Sequence, residues 1–244
     1  MKEEELAKQA EQAMQEIHKK AAHHETEKFD DDSEKDEKRN PFSYLLALML
    51  ILIMIMVLVP YYGIKLDPEP KNIPRLEEVI PSDIDQLAAS IDSIPSAERA
   101  NLRNLMLPTN DGIRKTAKRI ITSSCDENEL CYAKALFYFV RDNLYYVGDP
   151  PNEFYENPFE TMQTKGADCD GLSILLANLE SAVGIPTRFA FIPGHVYIQI
   201  KVDSAPKKYK EADDWISLDP SCSDCEFGEV PYSTENRRKE YFYP

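Results

Sequence analysis

Glycine is scarce in this chain, with eight in 244 residues, and tryptophan occurs once. No internal repeat is visible. These absences exclude Gly-rich phosphate loops, solenoids and propellers. Positive charge is also in short supply. Lys and Arg number 28 against 43 Asp and Glu, a formal net charge of -15. Phosphate recognition needs clustered basic side chains, so nucleic acid is excluded as a partner. Beyond that, acidity indicates only a well-solvated surface. Histidine is the scarcest reactive side chain. His18, His23 and His24 lie near the N-terminus, and His195 is the only other one. Any imidazole chemistry in the C-terminal part of the chain must use His195.

One long hydrophobic run is present. Residues 41–64, PFSYLLALMLILIMIMVLVPYYGI, carry no charge. A bilayer needs roughly 20 apolar residues. Lys38 and Arg39 precede the run, Lys65 follows it, and Tyr44, Tyr61 and Tyr62 sit where aromatic rings favour the membrane–water boundary. The reading is a single transmembrane helix. A core helix of this length is rarely apolar on every face, and the polar arm before the run is too long for a signal peptide. Lys28, Lys35, Lys38 and Arg39 on one side, against Lys65, Lys71 and Arg75 on the other, give a slight positive-inside bias. It favours a cell-membrane protein with an extracytoplasmic C-terminal domain. All five cysteines, Cys125, Cys131, Cys169, Cys222 and Cys225, follow the run. Without Cys169 they form two close pairs. Local disulfides suit an oxidising exterior; a four-thiolate zinc site and free thiols are the alternatives.

Four regions follow from these shifts in composition. Residues 1–40 form a charged arm, helical in its first half, with sparse apolar positions that allow at most a weak helix-mediated partner. Residues 41–64 are the transmembrane helix. Residues 65–80, with Asp67-Pro68 and Glu69-Pro70, read as an extended stalk. Residues 81–244 form the domain. Helical patterns are expected from Ser82 to about Ser93, from Ser96, over residues 112–123, and within 126–147, where Leu130, Ala133, Leu136, Phe137 and Val140 repeat at helical spacing. Residues 148–164, rich in proline, read as a surface loop.

The chemistry concentrates downstream. Gly166-Ala167-Asp168-Cys169-Asp170-Gly171 leads into an apolar stripe, Leu172, Leu175, Leu176, Leu179 and Val183, which marks a helix that Gly184-Ile185-Pro186 ends. Cys169 lies at the helix start, where free N–H groups and the positive dipole end favour thiolate. Strands follow at 187–192, 195–202 and 215–219, with a polar loop at 203–214. If the last two pair antiparallel with His195 opposite Asp219, then Tyr197 faces Ser217 and Gln199 faces Trp215. Imidazole and carboxylate become direct cross-strand neighbours. Cys169 would then be a nucleophile, His195 its proton acceptor and donor, and Asp219 the group that orients the ring. The Cys169 N–H is the natural oxyanion donor. Asp168, Asp170 and Asp224 read as turn caps or as a source of preference for basic substrates.

These residues resemble a known family. The stretch over residues 133–220, through KGADCDGLSILLANLESAVGIPTRFAFIPGHVYIQI and WISLDPSC, is similar to the transglutaminase-like domain of the papain-type cysteine-enzyme superfamily. Cys169, His195 and Asp219 fall on its three catalytic positions. The aromatic exit of the preceding helix, over residues 139–146, also looks like the family. The resemblance implies an α+β, papain-like core with the Cys-bearing helix packed on an antiparallel sheet, preceded by N-terminal helices and one transmembrane helix. It implies acyl transfer on peptide or protein amides, without a cofactor or catalytic metal. The alternatives are a non-catalytic module that binds or scaffolds at the membrane, and a zinc-stabilised interaction protein.

Overall fold

The computed structural model describes residues 41–95, 99–148, 154–231, 233 and 237–244. The charged arm expected over residues 1–40 and the helix start expected at Ser96 lie outside them. Two compact units are distinguished, Met1–Met56 and Val57–Pro244. Helix α1, Pro41–Leu66, carries the hydrophobic run. Within it Phe42–Val59 is apolar and long enough to cross a membrane, and none of it is buried.

The fold is α+β. Its helices include α2 (Leu76–Val79), α3 (Ile84–Ala89), α4 (Asp111–Ser124), α5 (Glu129–Asn143), α6 (Pro158–Thr164) and α7 (Cys169–Ala182). A 3-10 turn spans Arg99–Leu105. The short strands β1 (Ile94–Pro95) and β3 (Phe154–Tyr155) pair antiparallel, and β2 (Tyr145–Tyr146) pairs parallel with β4 (Gly166–Ala167). The principal sheet holds β5 (Thr187–Ile192), β6 (His195–Ile200), β7 (Ile216–Leu218) and β8 (Glu240–Phe242), in the order β7-β6-β5-β8 and antiparallel throughout.

Helix α7 is the centre of the core. The expected Leu172, Leu175, Leu176 and Leu179 are buried, but so is every residue from 171 to 180. The sheet covers one side of the helix, and α4, α5 and α6 cover the other. Two of its buried polar residues, Ser173 and Asn178, are absorbed by bonds to the covering elements. Ser173 Oγ donates to the Val196 carbonyl at 3.3 Å, and Asn178 Nδ2 donates to the Leu105 carbonyl at 2.9 Å. The helix stops as expected. Gly184 adopts φ +89°, the Gly184 amide returns to Ser181 O, and the Ile185 amide returns to Glu180 O. These two bonds form a Schellman closure.

Three expectations need correction. The proline-rich segment after α1 is not a free stalk. Leu76 and Val79 are buried, and the Leu76 amide donates to Asn143 Oδ1 at 3.0 Å. The fully buried Lys134 ammonium holds Asp67 at 2.6 Å and also holds Glu69. An ammonium taken out of water needs such carboxylates, so the acidic residues between the prolines serve the domain. Residues 158–164 are helical rather than loop. Asn157 caps the amides of Phe159 and Glu160, and Pro158 occupies the first helical position, where its missing N–H costs nothing. Third, β6 and β7 pair with Gln199 opposite Ser217 and Ile198 opposite Leu218, two residues away from the expected register. A two-residue shift preserves which face every side chain takes, so alternation cannot detect it. Strand β8 had no expectation at all. It is held through Arg188, whose guanidinium lies 3.8 Å from the Tyr241 ring and 4.1 Å from the Trp215 ring.

One buried group opposes stability. Both oxygens of the fully buried Glu180 carboxyl lack a hydrogen-bond partner among the described residues. Burial, with Glu129 adding repulsion, raises its pKa well above 4.5. Below that value the carboxyl is protonated in the folded and unfolded chain alike. As pH rises past it, the unfolded chain ionises first and folding loses stability. Glu180→Gln should therefore unfold at a higher temperature than the parent at pH 7, by roughly 2–4 °C for each kcal/mol relieved. The advantage should vanish near pH 4. A calorimetric scan at both pH values checks this.

Candidate active site

Cys169 is the first residue of α7 because Asp168 caps the helix. One oxygen of the Asp168 side chain accepts the amides of Asp170 at 2.9 Å and Gly171 at 3.2 Å. Those two donors are thereby occupied, while the Cys169 amide stands ahead of them at the mouth of the helix. Gly171 is required by contact: a Cβ there would stand 2.5 Å from the Ala167 Cβ. Only glycine lets the helix begin so close to β4. Cys169 is half-buried, and among the described residues it is the free thiol. Cys125 is bonded to Cys131 and Cys222 to Cys225. Both pairs are disulfides, so the four-thiolate zinc alternative falls. Among the described residues no group of three or more His, Cys, Asp or Glu could hold a metal.

His195 opens β6 directly after the two-residue turn Pro193-Gly194, in which Gly194 takes φ +76°. Proline followed by a positive-φ glycine suits such a turn. Asp219 follows the last residue of β7 and is fully buried. Carrying the observed register to this end of the ribbon sets Tyr197 opposite Asp219, so His195 and Asp219 are diagonal neighbours on one face. The imidazole spans the diagonal, with Nε2 at 2.7 Å from Asp219 Oδ2. That bond leaves Nδ1 as the nitrogen available to sulfur. The other carboxylate oxygen, Oδ1, accepts the Ser221 amide at 3.1 Å and the Ser221 hydroxyl at 2.7 Å.

Burial alone would lower the pKa of His195. Hydrogen bonds to Asp219 and to Cys169, together with their charges, overcome this and raise it to about 10. Both groups therefore act on this imidazole. By alternation His195 and Tyr197 lie on the sheet face turned away from α7, while Val196 and Ile198 face the helix core. Ser173, one turn after Cys169, holds the Val196 carbonyl and so sets the first turn of the helix beside the start of β6.

A cleft of about 440 Å³ opens on the His195–Asp219 side, lined also by Gly194, Ser221, Cys222 and Asp224. Near the helix start lies a group that sequence reasoning missed. Tyr155 is buried, and its hydroxyl pKa is raised by burial against a hydrogen bond from Arg99. The Arg99 guanidinium sits 4.0 Å from the centre of the Phe191 ring and pairs with Glu240 at 3.1 Å. Tyr155 lies in the proline-rich stretch, whose composition carries no signal for it.

The structure thus holds a free thiol at a helix start and an imidazole bonded to a buried carboxylate beyond the sheet, the three groups singled out by the sequence resemblance. Residues 114–220 match the family model of the transglutaminase-like superfamily, so over this part the chain is similar to that family. The match starts before the resembling stretch and takes in most of α4. No curated protein matches the chain in sequence. Among solved structures, a Cytophaga hutchinsonii protein described as a candidate cysteine protease is 18% identical with a TM-score of 0.38. The likeness covers 62% of this chain and 46% of that one, so this chain spans under half of that protein. Legionella pneumophila LapG is 16% identical with a TM-score of 0.35, over 70% of this chain and 84% of its own; its calcium-bound form scores the same. With scores this low, the family match carries the assignment.

The pKa of His195 is testable directly. A raised imidazole pKa contributes stability that is complete below the unfolded value of 6.5 and is lost as pH rises through about 10. In an NMR titration of a chain labelled on histidine, one resonance should titrate far above the others. Asp219→Asn should bring it down by more than one pH unit, since a neutral amide supplies no charge.

Proposed function

We propose that the chain is a membrane-anchored cysteine acyl-transfer enzyme acting on peptide or protein amides, with Cys169, His195 and Asp219 as its catalytic residues. The observation that carries this reading is the 2.7 Å bond between His195 and the buried Asp219, made by an imidazole that also interacts with Cys169. His195 is the one histidine after residue 24, and among the described residues Cys169 is the free thiol, which supports pairing the two.

The thiolate of Cys169 attacks the amide carbonyl carbon. The helix start favours the anion electrostatically, and imidazolium beside it completes an ion pair. The oxygen of the tetrahedral intermediate faces the Cys169 amide, which serves as one oxyanion donor. His195 then gives its proton to the leaving amine, and the C–N bond breaks to leave a thioester. An acceptor, water or an amine, enters on the His195 side, loses a proton to the imidazole and takes the acyl group. Asp219 orients the ring through both steps and stabilises its charged form. It stays ionised.

Helix α1 serves as the anchor in this reading. Its apolar span, exposed along its length, supports a single-pass membrane protein. Two disulfides beside one free thiol support an extracytoplasmic location for the domain, since such pairs persist in oxidising compartments.

The decisive experiment is alkylation with iodoacetamide, followed by mass spectrometry across pH. Cys169 should react rapidly even at pH 6, because in this reading the raised His195 keeps an imidazolium at its side. His195→Ala should abolish the low-pH reactivity while Cys169 stays accessible above pH 9. Slow labelling that tracks an ordinary thiol in the parent chain would overturn catalysis in favour of a binding module. Fluorogenic peptide amides, with and without a primary amine, then separate hydrolysis from transfer.

A further inference from the structure

We infer that Ser221 is a positioning residue for the reaction: it clamps the Asp219 oxygen that His195 does not use and so fixes the direction from which the carboxylate holds the imidazole. The inference rests on the function proposed above and adds a residue to it. Asp219 has two oxygens and no exposure to water. Oδ2 belongs to His195 at 2.7 Å, and Oδ1 receives both donors of Ser221, the hydroxyl at 2.7 Å and the amide at 3.1 Å. A carboxylate held at one oxygen can rotate about its terminal torsion, which is broad. Held at both, it cannot.

The backbone makes this grip stiff. Pro220, between the two residues, has no amide to donate and presets φ for a turn. The Cys222 amide closes that turn on the Asp219 carbonyl at 3.2 Å. The Cys225 amide then returns to the Cys222 carbonyl, and the Cys222–Cys225 disulfide ties the same four residues. Arg141 on α5 holds the Cys225 carbonyl at 2.7 Å. A chain of bonds thus runs from a buried helix to the serine. An Asp-Pro-Ser turn on a surface would form the amide bond by itself. Here the hydroxyl adds a second donor to a carboxylate that has no exposure of its own.

If Ser221 only shaped the turn, its removal would change stability and nothing else. If it positions Asp219, its removal weakens the imidazolium–thiolate pair, and Cys169 becomes reactive only at higher pH. The facing groups in that pair are Cys169 from α7, His195 from β6 and Asp219 beyond β7. The test measures iodoacetamide alkylation of Cys169 in the full chain as a function of pH, alongside thermal unfolding. Ser221→Ala and Ser221→Gly should move the acidic limb upward by about one pH unit. They should also slow alkylation at pH 6 on the order of tenfold. Ser221→Thr, which keeps the hydroxyl, should restore the parent profile. A limb unchanged in both truncations, with Asp219→Ala shifting it, would overturn the inference and leave the proposed function standing. A parent chain with no acidic limb would overturn both.

Discussion

The bond between the His195 imidazole and the buried Asp219 carboxylate organises the site. A buried carboxylate needs donors, and a buried imidazole beside a thiol needs an anion to carry its charge. Each supplies what the other lacks. Asp219 gains an Nε2–H donor at 2.7 Å and, on its other oxygen, two donors from Ser221. His195 gains enough stabilisation to overcome burial, so its pKa rises to about 10. With Nε2 committed, Nδ1 is left for Cys169. The tautomer and direction of the ring follow from that one pairing.

In the proposed mechanism helix α7 supplies the sulfur to this pair. Helix α7 is buried from residue 171 to 180, and only its first two and last two residues are partly exposed. The helix is therefore held from every direction, and its N-terminus is placed without freedom. Asp168 caps it, Gly171 lets it start against β4, and Ser173 ties its first turn to β6. The same body recruits the segment that follows the hydrophobic helix. Buried Lys134 draws in Asp67 and Glu69, and Tyr209 adds its hydroxyl to Asp67 at 3.0 Å. The chain leaving α1 is therefore part of the domain rather than a spacer.

Much of the site was legible because each residue sits at a boundary that local chemistry marks. Asp168 before an apolar stripe announces an N-cap, Gly194 announces a turn, and Asp219-Pro220 announces a strand end. The observed limits of α7, β5 and the start of β6 follow those marks. The register of β6 against β7 was not legible, since a two-residue slide leaves every face unchanged. Helix α6 was hidden because proline suggested a loop, although Asn157-Pro158 is equally a helix-start signature. Strand β8 and the Arg188 cage join residues far apart in the chain, and no local pattern announces such a meeting.

The order of residues alone thus determined the α+β class, the apolar helix, the cysteine at a helix start, and the restriction of imidazole chemistry to His195. These are local or compositional properties, set by spacing, capping and scarcity. Tertiary structure decided the rest: that His195 reaches Asp219 across a diagonal, that Ser221 grips the free oxygen, that two cysteine pairs close as disulfides, and that Asp67 and Glu69 serve Lys134. Each depends on distances between groups that are remote in sequence or free to pair otherwise. Only burial and packing choose among those pairings.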